Sequence, residues 1–382
     1  MTKKTKYYPI LALLFLVSSC IEPYKPVLER GEEEYILVVE GLITNQPGSF
    51  EVKLSRSVPV DTTINSLPER GAHVMVTADS GNIYDFYEAD PRIYKSTDNN
   101  AKAAHGREYQ LIITDFEGNT YESSLVKMEP TPDIKRIYWK ETSKNVFADN
   151  EVFQEKGINI YIESEEPASE TYYYKWDFTE TWKTEMPNYV KVISGIEGIK
   201  EVFVKIPQEK KHCWVTRPSA AVLVKSLRQQ EQTKIDSFLV KHIPENLDLL
   251  YIRYSIEVKQ YCLDKEMYDF WNNLKKFNEE IGTMFDQVPY SIYGNITCCE
   301  NEEKKVLGYF DAAEVKTKRI FIDKSEHRVP VVNYYDRCVY VGIPNPYPFV
   351  GGLYATVPFC TDCRETGSST KPDFWDSNSE EE

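Results

Sequence analysis

The sequence predicts a mostly β chain, with a β-sandwich near the N-terminus followed by a larger β-rich region that carries one amphipathic helix. Three observations point there. From Tyr35 onward, apolar side chains alternate with polar ones in short runs, and a period of two places successive side chains on opposite faces of a strand. Clusters of turn-forming residues separate the runs at regular spacing, as sandwiches require. Tyrosines are abundant, 27 of 382 residues, and aromatic side chains favour strands.

The first residues stand outside this pattern. Met1-Thr2-Lys3-Lys4-Thr5-Lys6 is basic, Ile10 to Val17 is apolar, and Val17-Ser18-Ser19-Cys20 follows. A charged start, a short apolar core and small residues before a cut site are the parts of an export signal, here residues 1–19. The apolar run is too short to span a bilayer, which takes ~20 residues. A cysteine directly after the small residues resembles a lipobox, whose thiol takes a diacylglycerol and becomes the new N-terminus. Cys20 is therefore the expected lipidation site, and acyl chains anchor a protein because each buried methylene contributes ~0.8 kcal/mol. Residues 20–34 read as the lipidated tether, kept extended by Pro23 and Pro26 and solvated by Glu32-Glu33-Glu34.

The predicted sandwich covers residues 35–127. Ile36 to Val39 opens it, and Phe50, Val52 and Leu54 alternate with Glu51, Lys53 and Ser55. Val74 and Val76, Tyr84 and Phe86, and Tyr109, Leu111 and Ile113 continue the alternation. Gln46-Pro47-Gly48, Asp79-Ser80-Gly81-Asn82 and Phe116-Glu117-Gly118-Asn119 supply the turns. The strand order resembles an immunoglobulin-like or transthyretin-like domain, and Pro130-Thr131-Pro132 reads as the linker after it.

The second region is expected over residues 133–376. Ile158, Ile160 and Ile162 share a strand face, and Tyr172 to Phe178 forms a dense aromatic strand. Further strands are expected at Val202 to Val204, Ala221 to Val224 and Leu249 to Tyr261. The period then changes: Met267, Trp271, Leu274, Phe277 and Ile281 recur every three or four residues, which predicts an amphipathic helix near 264–281. Asp264 is placed to cap its start and Gly282 to end it. Strands resume at Val306 to Phe310 and Arg319 to Ile322, and residues 377–382 read as a disordered acidic tail.

Charge and cysteines narrow the function. Removing residues 1–19 takes away three lysines and no acid, which moves the net charge from −15 to −18. That argues against nucleic acid as a partner, because phosphates need a basic surface, and against direct binding to anionic lipid. Seven cysteines remain once Cys20 is lipidated, all in the second half of the chain. In an exported protein, disulfides are the default reading. Cys360 or Cys363 is expected to pair with Cys213, with Cys338 or with each other, and an odd count leaves at least one thiol over. Zinc or a redox couple at Cys360-Thr361-Asp362-Cys363 is the alternative. Against it, adjacent Cys298-Cys299 makes a poor second chelating pair, and Pro358 with a Gly/Ser/Thr-rich tail is not a strand–helix frame.

Catalytic signatures are sparse. The chain contains no Gly-x-Ser-x-Gly elbow, no His-Glu-x-x-His and no phosphate loop. None of its five histidines lies within four residues of another. His212 beside Cys213 suggests an imidazole-activated thiol, and the disulfide reading competes for the same cysteine. Acidic pairs such as Glu165-Glu166 suggest glycan or peptide hydrolysis by facing carboxylates. No cofactor and no metal is expected, since the Asp79 and Asp115 turns lack a full calcium ligand set. The best binding hint is aromatic: Tyr172, Tyr174, Trp176 and Trp182 are candidate ligand contacts, with the core as the competing destination for half of them.

Several stretches together resemble a Bacteroidota family of outer-membrane lipoproteins with a domain of unknown function, DUF4249-like. They are Val39-Glu40-Gly41-Leu42-Ile43-Thr44, then Val52-Lys53-Leu54-Ser55-Arg56-Ser57, then Gln260-Tyr261-Cys262 running into Met267-Tyr268-Asp269-Phe270-Trp271. Gly294-Asn295-Ile296, Val306 to Phe310, Cys360 to Arg364 and Lys371-Pro372-Asp373-Phe374-Trp375 complete the series. The resemblance spans nearly the whole mature chain and implies a lipoprotein that accompanies TonB-dependent outer-membrane transporters. It carries over no catalytic residue. The expectation is a non-enzymatic binding or assembly module, lipid-anchored at the outer membrane and facing the periplasm or the cell surface. Its expected partner is a β-barrel transporter or assembly protein.

Overall fold

A computed structural model describes residues 35–58, 66–148, 151–167, 172–186, 189–194, 200–228, 233–280, 293–301, 303–333 and 362–376. The export signal, Cys20, the tether, Gly282, Cys338, Cys360 and the acidic tail lie outside them. The chain is mostly β, as its alternation predicts, with twenty-one strands and one α-helix among the described residues.

Nine strands come first: β1 (Leu37–Thr44), β2 (Glu51–Arg56), β3 (Leu67–Pro68), β4 (His73–Ala78), β5 (Ile83–Asp90), β6 (Ile93–Ser96), β7 (Glu108–Thr114), β8 (Thr120–Ser123) and β9 (Val126–Lys127). Alternation decides their faces. Val39, Val52, Leu54, Val74, Val76, Leu111 and Ile113 are fully buried in one core, while their neighbours in sequence, the buried Ser55 apart, are more exposed. The turns close as their residues dictate. At Phe116-Glu117-Gly118-Asn119, Gly118 takes a positive φ of 88° that a side chain would resist. The Asp115 N–H donates to the Asn119 carbonyl at 2.9 Å and closes the hairpin. Strand β5 pairs with β4 through Ile83–Asp85 and with β6 through Phe86–Asp90, so it joins two groups of strands into one eleven-stranded sheet.

The next nine strands are β10 (Ile134–Ala148), β11 (Glu151–Ser164), β12 (Tyr173–Glu185), β13 (Tyr189–Ser194), β14 (Lys200–Lys205), β15 (His212–Pro218), β16 (Leu223–Ser226), β17 (Phe238–Pro244) and β18 (Arg253–Cys262). Helix α1 (Lys265–Glu280) follows, then β19 (Ile296–Cys298), β20 (Val306–Ala313) and β21 (Val315–Asp323). A three-stranded sheet, β10-β11-β17, packs against a sheet ordered β15-β12-β18-β21, with β16 also paired to β12. Asp264 caps the helix as expected, its Oδ1 accepting from the Met267 N–H at 2.7 Å.

One assignment differs from the sequence reading. Strands β19 and β20, expected with the second region, complete the first: β19 pairs with β8, and β20 lies parallel to β1 from Leu37↔Val306 to Thr44↔Ala313. Ile296, Val306, Phe310 and Ala312 sit in the core of the first body. The cause is backbone approach. Gly308 has φ 92°, and a Cβ there would lie 1.9 Å from the Val39 carbonyl oxygen. Asn295 then fixes the segment, donating to the Phe310 carbonyl at 3.0 Å and accepting from its N–H at 3.1 Å.

The chain passes between the bodies three times: from β9 to β10, from β18 and α1 to β19, and from β20 to β21. Only Glu314 separates β20 from β21. Its carboxylate accepts from the Thr131 N–H at 2.8 Å, and its carbonyl accepts from the Thr131 hydroxyl at 2.7 Å. The expected linker is thus pinned to the third crossing, at Glu314, and Thr131 Oγ1 also accepts from the Cys262 N–H at 3.0 Å.

Candidate functional site

Strand β12 sets up the site by its period of two. Tyr174, Trp176, Phe178 and Trp182 point into the core of the second body, while Lys175, Asp177 and Thr179 take the other face. Tyr174 and Trp176 are fully buried and Trp182 is 6% exposed, so these three expected ligand contacts are core residues. Stacking explains why: Trp176 lies 4.1 Å from the Phe238 ring centroid and hydrogen-bonds Gln260 through its indole N–H. Tyr172 alone of the four is exposed, at 37%, just before β12 begins.

The outer face of β12 and β18 opposes the outer face of β1, β2 and β20, and helix α1 closes one side with Met267, Phe270, Trp271 and Leu274. Between them is a cleft of about 920 Å³. Its closed end is an apolar cluster that includes Tyr261, Met267, Tyr309 and Val315.

Charges line the cleft floor. The Lys175 side chain is 9% exposed, and its Nζ lies 2.6 Å from Asp177 Oδ2. It also sits 4.8 Å from the Tyr261 ring and 4.6 Å from the Trp271 ring. Cation–π attraction and the carboxylate together hold a buried ammonium that would otherwise be costly. Asp311 on β20 is buried nearby, and Ala312 N–H donates to its Oδ1 at 2.8 Å. Burial, with the negative charge of Asp264, pushes its carboxyl up to about 7, against the opposing pull of the Ala312 N–H and Lys175. Burial raises the Tyr261 and Tyr309 phenols further above their ordinary range.

The other candidates fall elsewhere. Cys213 and Cys363 form a disulfide, with Cα atoms 5.7 Å apart across 150 residues of sequence. That bond removes Cys213 from any nucleophilic role beside His212, whose imidazole burial pushes below its usual range. Cys298 is buried, and Cys299 is exposed. Glu166 pairs with Lys234 at 2.9 Å on an exposed loop. Asp115 spends both carboxylate oxygens on its own hairpin and on Arg56, 3.0 Å away. A second buried carboxylate, Glu180, lies inside the second core, neutralised by Arg217 at 2.7 Å and bonded by the Tyr254 hydroxyl at 3.1 Å.

The cleft residues were the ones sequence reasoning missed. Lys175 and Asp177 alternate with the aromatics of β12, so their shared face was readable; what that face opposes was not. Asp311 was signalled by an acid inside the apolar run Leu307 to Ala313.

A search among curated proteins finds no match to the chain. The family model for a domain of unknown function, DUF4249, matches residues 21–319. That match covers both bodies, the helix and every wall of the cleft, and the chain belongs to the DUF4249 family.

Proposed function

We propose that the protein is a lipid-anchored, non-enzymatic binding or assembly module, held at an outer-membrane surface through Cys20 and accessory to a TonB-dependent transporter. The observation that carries the reading is the cleft, where two β bodies and a helix surround about 920 Å³. Small-molecule and peptide sites have this character, a mostly apolar lining with a few placed polar groups. The export signal, the cysteine after its small residues and the resemblance to transporter-associated lipoproteins support the location and the partner. No described helix is long and apolar enough to cross a membrane. Confinement of anchor and transporter to one surface raises effective concentration, so a modest interface suffices.

Two measurements test this. Cys20→Ala is expected to abolish incorporation of labelled fatty acid and to release the protein from membranes; equal labelling of the variant removes the anchor. Tagged protein from gently solubilised membranes is expected to enrich one β-barrel transporter. Capture of no barrel, together with cleavage of a glycan or peptide, would replace the proposal with a hydrolase. Asp311 is the observation behind that second reading, because a carboxyl pushed up to about 7 beside other cleft carboxylates resembles an acid–base arrangement.

A further inference from the structure

The two walls of the cleft carry opposite residual charge. On the first body, Lys53 lies 3.7 Å from Glu51, which leaves Glu40 over, with the buried Asp311 as a further carboxyl on that wall. On the second, Lys175 pairs with Asp177 at 2.6 Å, which leaves Lys259 over. Among the described residues, neither Glu40 nor Lys259 has an ion-pair partner within 4.0 Å, so the walls do not neutralise each other across the gap. The same lining carries the apolar side chains of Leu42, Val222, Phe270 and Leu274.

We propose that the cleft binds a short peptide with apolar side chains and both termini free, its carboxylate on Lys259 and its ammonium on Glu40. The inference rests on the reading of the cleft as a binding site and names its ligand class. The chemistry favours a dipolar ligand. A fatty acid satisfies Lys259 and leaves Glu40 facing its tail. A neutral sugar matches neither the leftover charges nor the apolar part of the lining. A peptide places an ammonium at one end, a carboxylate at the other and apolar side chains between. About 920 Å³ falls within the ~300–1,000 Å³ of small-ligand sites and holds about two to three residues.

Calorimetric titration of the purified full-length protein with the tripeptide leucyl-phenylalanyl-leucine tests the inference. Its N-acetyl and C-amide forms, a fatty acid and a neutral oligosaccharide complete the panel. The free peptide is expected to bind, and each cap to weaken binding about tenfold, which corresponds to ~1.4 kcal/mol. Lys259→Gln is expected to erase the difference between acid and amide while keeping the acetyl effect, and Glu40→Gln to do the reverse. Capping acts on the ligand alone, so the result does not depend on how the variants fold. Absence of peptide binding, indifference to both caps, or tighter binding of fatty acid or oligosaccharide overturns the inference. Capture of a barrel without peptide binding leaves the transporter reading standing and removes only this one; peptide binding without a barrel does the opposite.

Discussion

At the scale of single residues, Asp311 is the most consequential side chain. An ordinary aspartate titrates near ~3.9; this one, buried and close to Asp264, is pushed up to about 7. The sign of its effect on stability follows from linkage. Below about pH 4, folded and unfolded chains are both protonated there and no penalty exists. As pH rises, the unfolded chain ionises first, so stability drains away until the folded carboxyl ionises as well. Asp311→Asn keeps an acceptor for the Ala312 N–H and cannot ionise. Its stability relative to wild type is expected to rise between pH 5 and pH 8 by roughly 2–3 kcal/mol, at about 1.36 kcal/mol per pKa unit. Urea melts of both proteins at the two pH values measure this, and a pH-independent difference would contradict the burial argument. The same strand shows how far a sequence can be read. Leu307 to Ala313 announces a buried strand, and an acid inside it announces an anomaly. Alternation in β12 likewise separates Lys175 and Asp177 from Tyr174 and Trp176. It cannot say which face meets the core, so Tyr174, Trp176 and Trp182 read equally well as ligand contacts until the opposing β10-β11-β17 sheet is seen.

At the scale of elements, the C-terminal segment is tied to the second body by one covalent bond and a set of weak contacts. Cys363 joins Cys213 on β15, and Ser368 exchanges backbone hydrogen bonds with Trp214 at 2.8 and 2.9 Å. Farther along, the Arg319 guanidinium stacks 3.5 Å over the Phe374 ring, and Arg253 donates to the Trp375 carbonyl at 3.1 Å. These contacts bury Trp375, yet the segment holds no regular strand or α-helix. A crosslink closing a loop of 150 residues restricts the unfolded chain strongly and typically contributes about 2–4 kcal/mol. The double variant Cys213→Ser, Cys363→Ser is expected to lose about that much stability and to become sensitive to proteolysis within residues 362–376. A cleavage pattern unchanged from wild type would mean that the aromatic contacts alone hold the segment. Sequence alone named both cysteines among the candidates and left their pairing open, because pairing depends on where β15 lies in the folded sheet. The helix was legible down to its cap, since an i, i+3, i+4 stripe and a preceding Asp are local signals. Its packing over β12 and β16 was not, being a property of the sheet it covers.

At the scale of the whole molecule, chain order and spatial order disagree. The first body is built mainly from residues 37–127, but β19 and β20 arrive from residues 296–313, after every strand of the second body except β21 has been laid down. A parallel partner for β1 cannot come from a tight turn and must return through a long crossover. Local pattern therefore places the boundary near Pro130, and only the glycine in Leu307-Gly308-Tyr309 hints at a close backbone approach within a strand. The arrangement makes a strong demand on folding. Ile296, Val306 and Phe310 are nearly or fully buried against strands of the first body. Burying side chains of that size contributes about 1.5–3 kcal/mol each, while a domain's net stability is only about 5–15 kcal/mol. Removing the two strands also leaves β1 with an open edge and takes away the part of the cleft wall that carries Asp311. A fragment ending at residue 133 is therefore expected to show no cooperative thermal transition and no dispersed amide spectrum. Joining residues 293–313 to that fragment through a flexible linker is expected to restore both. A cooperative melt from the shorter fragment would show that the first body folds without its borrowed strands, and that the parallel pairing of β20 with β1 adds little to the free energy that holds it together.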